Sequence, residues 1–320
     1  MRKHIWLLIA VFLILAGCIM GGCVMAKLNW DFTKLSTVKY MTTEHTIGES
    51  FRDISVVTDT AEVVFEPTDG PTGSVICREQ QDAKHSVAVK DGTLVIAVAE
   101  TRKWYDRIGI NFGAPKITVF LPRGEYGALS VKTDTGAVEI PEDFRFARMD
   151  ISEHTGLVTS RASVAEAVKV HTTTGNIRLE NITAAALDLS VSTGKITVSG
   201  AVCSGDVSIR VSTGNTILTD IACKNLSSTG STGDLSLTNV IAAEEISVRR
   251  STGDVRFLDS DAGEITVQTD TGKVTGTLLS PKVFLAESDT GRVLVPNTTT
   301  GGTCRIQTDT GSILLEITGG

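Results

Sequence analysis

Tryptophan and tyrosine are scarce in this sequence, three of each in 320 residues, and proline occurs only seven times. A sugar-processing groove walled by aromatic rings therefore has little material, and proline-rich linkers do not divide the chain. None of the six cysteines forms a Cys-x-x-Cys pair, so zinc-ribbon and thioredoxin-like spacings are missing. The five histidines (His4, His45, His85, His154, His171) show no ligand or triad spacing, and no Gly-x-Ser-x-Gly elbow occurs. Basic stripes are missing too. Thirty Lys and Arg stand against 37 Asp and Glu, a net charge of −7, which argues against a nucleic-acid partner. Long amphipathic helical windows are absent beyond the N-terminus.

What the chain has instead is glycine in a fixed phrase: Thr-Gly, a variable residue, then an aliphatic. The glycines are Gly136, Gly156, Gly175, Gly194, Gly214, Gly233, Gly253, Gly272, Gly291 and Gly311, at steps of 19 or 20 residues. So constant a period marks a repeat architecture. Within one unit Ile177 and Leu179 alternate with polar residues, and Leu187, Leu189 and Val191 do the same. Each unit thus holds two short strands with one buried face, and Thr-Gly is the turn that leads into the next unit. Glycine accepts a positive φ there. About five buried aliphatic side chains do not offset the ordering of one unit, so units must stack.

Stacking at about 4.8 Å per layer predicts an all-β fold, a parallel β-solenoid of about ten coils of 19–20 residues. An antiparallel meander competes. It gives no reason for every second turn to be Thr-Gly while the others, such as Glu180–Ala185, look irregular.

Residues 1–26 differ. Arg2, Lys3 and His4 precede Ile5–Ala26, a stretch free of charge. A helix of that length, about 33 Å, spans a hydrocarbon core, and the preceding charges keep its start inside. This predicts one N-terminal transmembrane helix with the bulk of the chain extracytoplasmic and attached at that end only. Leu15-Ala16-Gly17-Cys18 also matches a lipobox, which would make Cys18 a lipid attachment site. The chain stays apolar through Cys23–Ala26, against cleavage; both readings place the remainder outside a membrane.

The organisation that follows is 1–26 anchor or signal segment, 27–50 stalk or first extended segment, 51–128 divergent β region or cap, and 129–320 repeat. The loop Thr101–Gly113, with Trp104, Tyr105 and Phe112, reads either as a contact site or as a cover for the solenoid's end. Asp59-Thr60-Ala61 echoes the repeat turn without its glycine.

Asp-Thr-Gly, at Asp134, Asp270, Asp289 and Asp309, is also the aspartic-protease tripeptide. A dyad needs two lobes rather than a column along a repeat, so the turns read as structural. Asp270, Asp289 and Asp309 should line up one coil apart, as should Asp234 and Asp254. Calcium is a poorer account of them than solvation, because the Gly-Gly-x-Gly-x-Asp pattern is missing. Cys203 and Cys223 lie one coil apart, either bonded or as two buried thiols. No catalytic, cofactor or metal residue is assigned.

The N-terminal anchor, the divergent segment with ITVFLP (residues 117–122) and the repeated STGD and TDTGK phrases together resemble a bacterial family of unknown function, known as putative adhesins with β-strand repeats. The resemblance covers residues 50–320. It implies a surface location, a non-enzymatic role and some members beside envelope-stress genes. The expected function is a membrane-anchored binding module for an envelope polymer or surface protein. The alternatives are a regulatory or scaffold role on neighbouring envelope-stress membrane proteins and, more remotely, a carbohydrate-active β-helix enzyme.

Overall fold

The computed structural model describes residues 2–31, 40–81, 83–99 and 113–318. The loop with Trp104, Tyr105 and Phe112 lies outside them. Helix α1 (Arg2–Lys27) is followed by an almost wholly β body. Its apolar part, Ile9–Lys27, has a mean hydropathy of 2.5 over 19 residues, long and apolar enough to cross a membrane. Cys18 sits exposed on this helix.

The repeat forms a parallel β-solenoid. Leu187–Val191 pairs in parallel with Val168–Thr172 on one side and Val207–Val211 on the other. Ile196–Ser199 pairs likewise with Ile177–Glu180 and Thr216–Thr219. Parallel pairing of equivalent residues excludes the meander, which needs antiparallel neighbours. Period-two alternation turns one side of each strand inward, and equivalent aliphatics form columns such as Val170, Leu189 and Ile209, all buried.

The second corner of five consecutive central coils, irregular by sequence, is regular in structure. Asn181, Gly200, Asp220, Asn239 and Asp259 all have φ between 49° and 65°. Asn, Asp and Gly are the residues that tolerate this left-handed conformation. The shared property is conformational, so three residue types hide it.

At both ends the coils do not stack in chain order. Toward the N-terminus lie β1 (Tyr40–Thr46), β2 (Asp53–Thr58), β3 (Glu62–Thr68), β4 (Ser74–Gln80), β5 (His85–Lys90), β6 (Thr93–Val98), β7 (Lys116–Pro122), β8 (Gly124–Thr135) and β9 (Val138–Ile140). Strand β2 pairs in parallel with both β6 and β8, and β3 with both β7 and β9. The first coil is therefore held between the second and the third. Strands β1, within the expected stalk, and β4 and β5 add antiparallel pairings that close this end.

At the other end, Gly302–Thr310 pairs with both Ile265–Thr271 and Lys282–Ser288, and Ile313–Ile317 with both Val274–Leu278 and Val293–Leu294. The last coil slides between the two before it. The aspartates expected in chain order thus follow the spatial order Asp270, Asp309, Asp289, because Gly311 packs on Gly272 and Gly291 on Gly311.

Candidate functional site

The ten repeat glycines form one column along a corner. A Cβ on Gly233 would lie 2.1 Å from the carbonyl oxygen of Gly214, and the φ of Gly233 is 127°. Gly156 and Gly272 need glycine for the close approach alone. Ala61 replaces glycine beneath Gly136, where the column starts. At four of these turns the residue after the glycine has a second task. Asn176 Oδ1 accepts from the Lys195 N–H at 2.9 Å, Asn215 from Asp234 at 3.0 Å, Asp234 from Asp254 at 2.9 Å and Asp254 from Lys273 at 2.8 Å. Asp234 and Asp254 thereby satisfy backbone donors of the next coil.

Beside this corner runs an inward column with polar members: Thr58, Thr133, Glu153, Thr172, then Arg250, Thr269 and Thr308. Glu153 is buried and neither carboxyl oxygen has a hydrogen-bond partner among the described residues. Burial pushes its pKa up to about 7. Arg250 donates through Nη2 to Ser228 Oγ at 2.9 Å and Thr216 Oγ1 at 3.2 Å. Burial pulls its pKa down to about 10, so it remains charged at neutral pH. Cys203 and Cys223 are free buried thiols in a column of small side chains between Ala184 and Ala242. Burial raises both, to about 11 and about 12.

Two places bring together residues that the sequence kept apart. The first is enclosed in the cap. His85 Nδ1 lies 2.9 Å from Glu79 Oε2, and His85 Nε2 lies 3.0 Å from Thr58 Oγ1. Thr43 Oγ1 donates to Glu79 Oε1 at 3.2 Å. A hydroxyl, an imidazole and a carboxylate in line are the geometry of an activated nucleophile. The adjoining cavity is about 10 Å³, space for one water and not for a substrate. No local spacing announced the group, because Thr58 reaches His85 only through the fold.

The second is an open groove of about 530 Å³ at the corner where the cap meets the repeat, lined by Arg52, Glu125, Tyr126, Arg145, Phe146 and Ser163, among others. Parallel pairing sets Arg145 beside Glu125 and Phe146 beside Tyr126. Tyr126 is fixed at both ends: its hydroxyl donates to the Pro122 carbonyl at 2.7 Å, and its ring stacks on Phe51 at 6.0 Å. Phe144 and Phe146 pack against the same ring. Arg52 and Arg145 are exposed, and neither has an ion-pair partner among the described residues. A fixed aromatic ring flanked by two free guanidinium groups can hold an anionic group and stack a flat or cyclic one.

The sequence pattern of the Toastrack DUF4097 family matches residues 51–205 and 197–319. The chain belongs to the Toastrack DUF4097 family. No curated protein matches it. Among solved structures, this Toastrack chain resembles a putative adhesin from Parabacteroides merdae, with 11% identity, 76% of this chain and 97% of that one covered, and a TM-score of 0.51. A putative lipid binding protein from Parabacteroides distasonis is 16% identical over 86% of this chain and 96% of that one, with a TM-score of 0.49. A putative adhesin from Bacteroides fragilis is 14% identical over 87% and 97%, with a TM-score of 0.39. At these identities the P. merdae protein shares the fold.

Proposed function

We propose that this Toastrack protein is a non-enzymatic binding module, held on the outer side of a bacterial membrane by α1, whose ligand is an anionic envelope polymer. The observation that carries the reading is the groove with free Arg52 and Arg145 around the fixed Tyr126 ring. On a chain of net charge −7, two exposed guanidinium groups against the single lining carboxylate of Glu125 give this groove a local positive excess that recruits negative charge. Two features favour binding over catalysis. The hydroxyl–imidazole–carboxylate line found among the described residues adjoins a cavity of only about 10 Å³, too small for a substrate. The Asp-Thr-Gly turns lie in the repeat's glycine column. Arg2 and Lys3 ahead of the apolar helix support export of the body.

The test is binding of the full-length protein in detergent to isolated cell wall, to purified anionic wall polymer and to membrane proteins of the same cell. Saturable polymer binding that weakens with salt and is lost in Arg52→Ala/Arg145→Ala supports the proposal. Binding only to a membrane protein would replace it with the regulatory reading.

A further inference from the structure

We propose that the N-terminal cap holds a zinc ion, with Cys77, Glu79 and His85 as its ligands and His45 as the fourth. One ligand atom from each of Cys77, Glu79 and His85 lies within 4.8 Å of the other two, and all three residues are buried. Tetrahedral zinc with bonds of about 2.0–2.3 Å holds its donors roughly 3.3–3.8 Å apart. The cluster therefore needs to contract by about 1 Å, within the reach of side-chain torsions.

The scaffold favours such a site. Cys77 and Glu79, two apart on β4, share one face. His85 opens β5 and brings its imidazole to the same carboxylate. Strand β1 lies against β4 in antiparallel register, with Thr43 opposite Cys77 and His45 opposite Val75. His45 therefore shares the side of β1 that carries Thr43, one alternate position along. Its Nε2 is buried without a hydrogen-bond partner among the described residues. His45 lies outside the three-residue cluster, but an orphaned buried imidazole nitrogen on the same side of β1 as Thr43, which holds Glu79, is an unused ligand.

Outer supports of the kind that orient metal ligands are already in place. Thr58 Oγ1 contacts His85 Nε2 at 3.0 Å, leaving Nδ1 for the metal, and Thr43 Oγ1 holds the second oxygen of Glu79. Cys77 also differs from the buried thiols Cys203 and Cys223. Those two sit in a column with alanines, whereas Cys77 faces a carboxylate and an imidazole. Thiolate, imidazole and carboxylate together suit zinc better than magnesium or calcium, which take oxygen donors. Binding would displace the thiol proton and the proton shared by His85 and Glu79, and so release protons. The ion would tie β1, β4 and β5 together at the N-terminal end of the β body.

The test uses the full chain in detergent with Cys18→Ser and Cys23→Ser, which removes the helix thiols as competing ligands. Zinc and cobalt(II) are titrated after chelator treatment. The expected result is one metal per chain, a thiolate-to-cobalt charge-transfer band, and loss of both in Cys77→Ser and in His85→Gln. His45→Gln, which removes a ligand rather than an outer support, should weaken zinc binding at least about 10-fold. No stoichiometric binding, a cobalt spectrum without the thiolate band, or binding unchanged in Cys77→Ser and His85→Gln would overturn the proposal. Unchanged affinity in His45→Gln would overturn the four-residue site. If a variant fails to fold, the cobalt spectrum of the parent chain still decides.

Discussion

Gly311 packs on Gly272, and a Cβ on Gly311 would stand 1.9 Å from the Gly272 carbonyl oxygen; Gly291, which precedes Gly311 in the chain, packs on its far side. The last coil is thus clamped between two others, as the first is at the opposite end. Ends of a serial solenoid fray, since a terminal repeat has one neighbour. Here the first coil (β2 and β3) and the last coil each have two.

This arrangement predicts that deleting residues 302–320 does more than shorten the array. The coil Lys282–Leu294 loses the layer that it pairs with. Amide hydrogen exchange should show residues 282–294 unprotected in the truncated protein and protected in the full chain. Unchanged protection would mean that this coil can dock directly on Val255–Leu278.

Gly233→Val should destabilise the protein by at least about 1–3 kcal/mol, because the φ of 127° and the Gly214 carbonyl at 2.1 Å both oppose a side chain. Denaturant titration reads this directly. A midpoint equal to that of wild type would show that the column relaxes freely.

Glu153→Gln should raise stability at high pH and leave it unchanged in acid. The Glu153 pKa is raised from 4.5 to about 7 in the folded protein. The folded state therefore holds a proton that the unfolded state gives up between these values, and stability falls as pH rises through that window. The difference between variant and wild type should be absent near pH 4, grow between about pH 4.5 and 7, and level off at about 1–3 kcal/mol. Melting curves across this range check it. A constant difference would indicate that Glu153 finds a partner.

Arg250→Met should be neutral or stabilising, by up to about 1–4 kcal/mol. It removes a buried charge whose Nε and Nη1 have no hydrogen-bond partner among the described residues. Gly230 leaves room for the side chain, since a Cβ there would sit 1.8 Å from Arg250 Nη1. Chemical denaturation measures the effect; a loss of more than about 1 kcal/mol would show that the two hydroxyl contacts outweigh the orphaned donors.

The repeat was legible because its cause is local and recurrent. Each Thr-Gly turn needs a residue without a side chain, and each strand needs alternating aliphatics, so period and inward face are written in every unit. Residues such as Ile196 and Leu189 are buried as the alternation implies. The left-handed second corner was written too, but Asn, Asp and Gly share a backbone conformation rather than a side chain. The candidate sites were not legible. Arg52, Tyr126 and Arg145 are spread over nearly a hundred residues, and the cap cluster joins Thr58, Cys77, Glu79 and His85 from three strands. Their meeting depends on which coil lies against which. The sequence determined the coil and its period. Only the tertiary structure decided the order of the coils, because near-identical repeats pair equally well with several neighbours, and the exchanged order leaves the spacing of 19 or 20 residues unchanged.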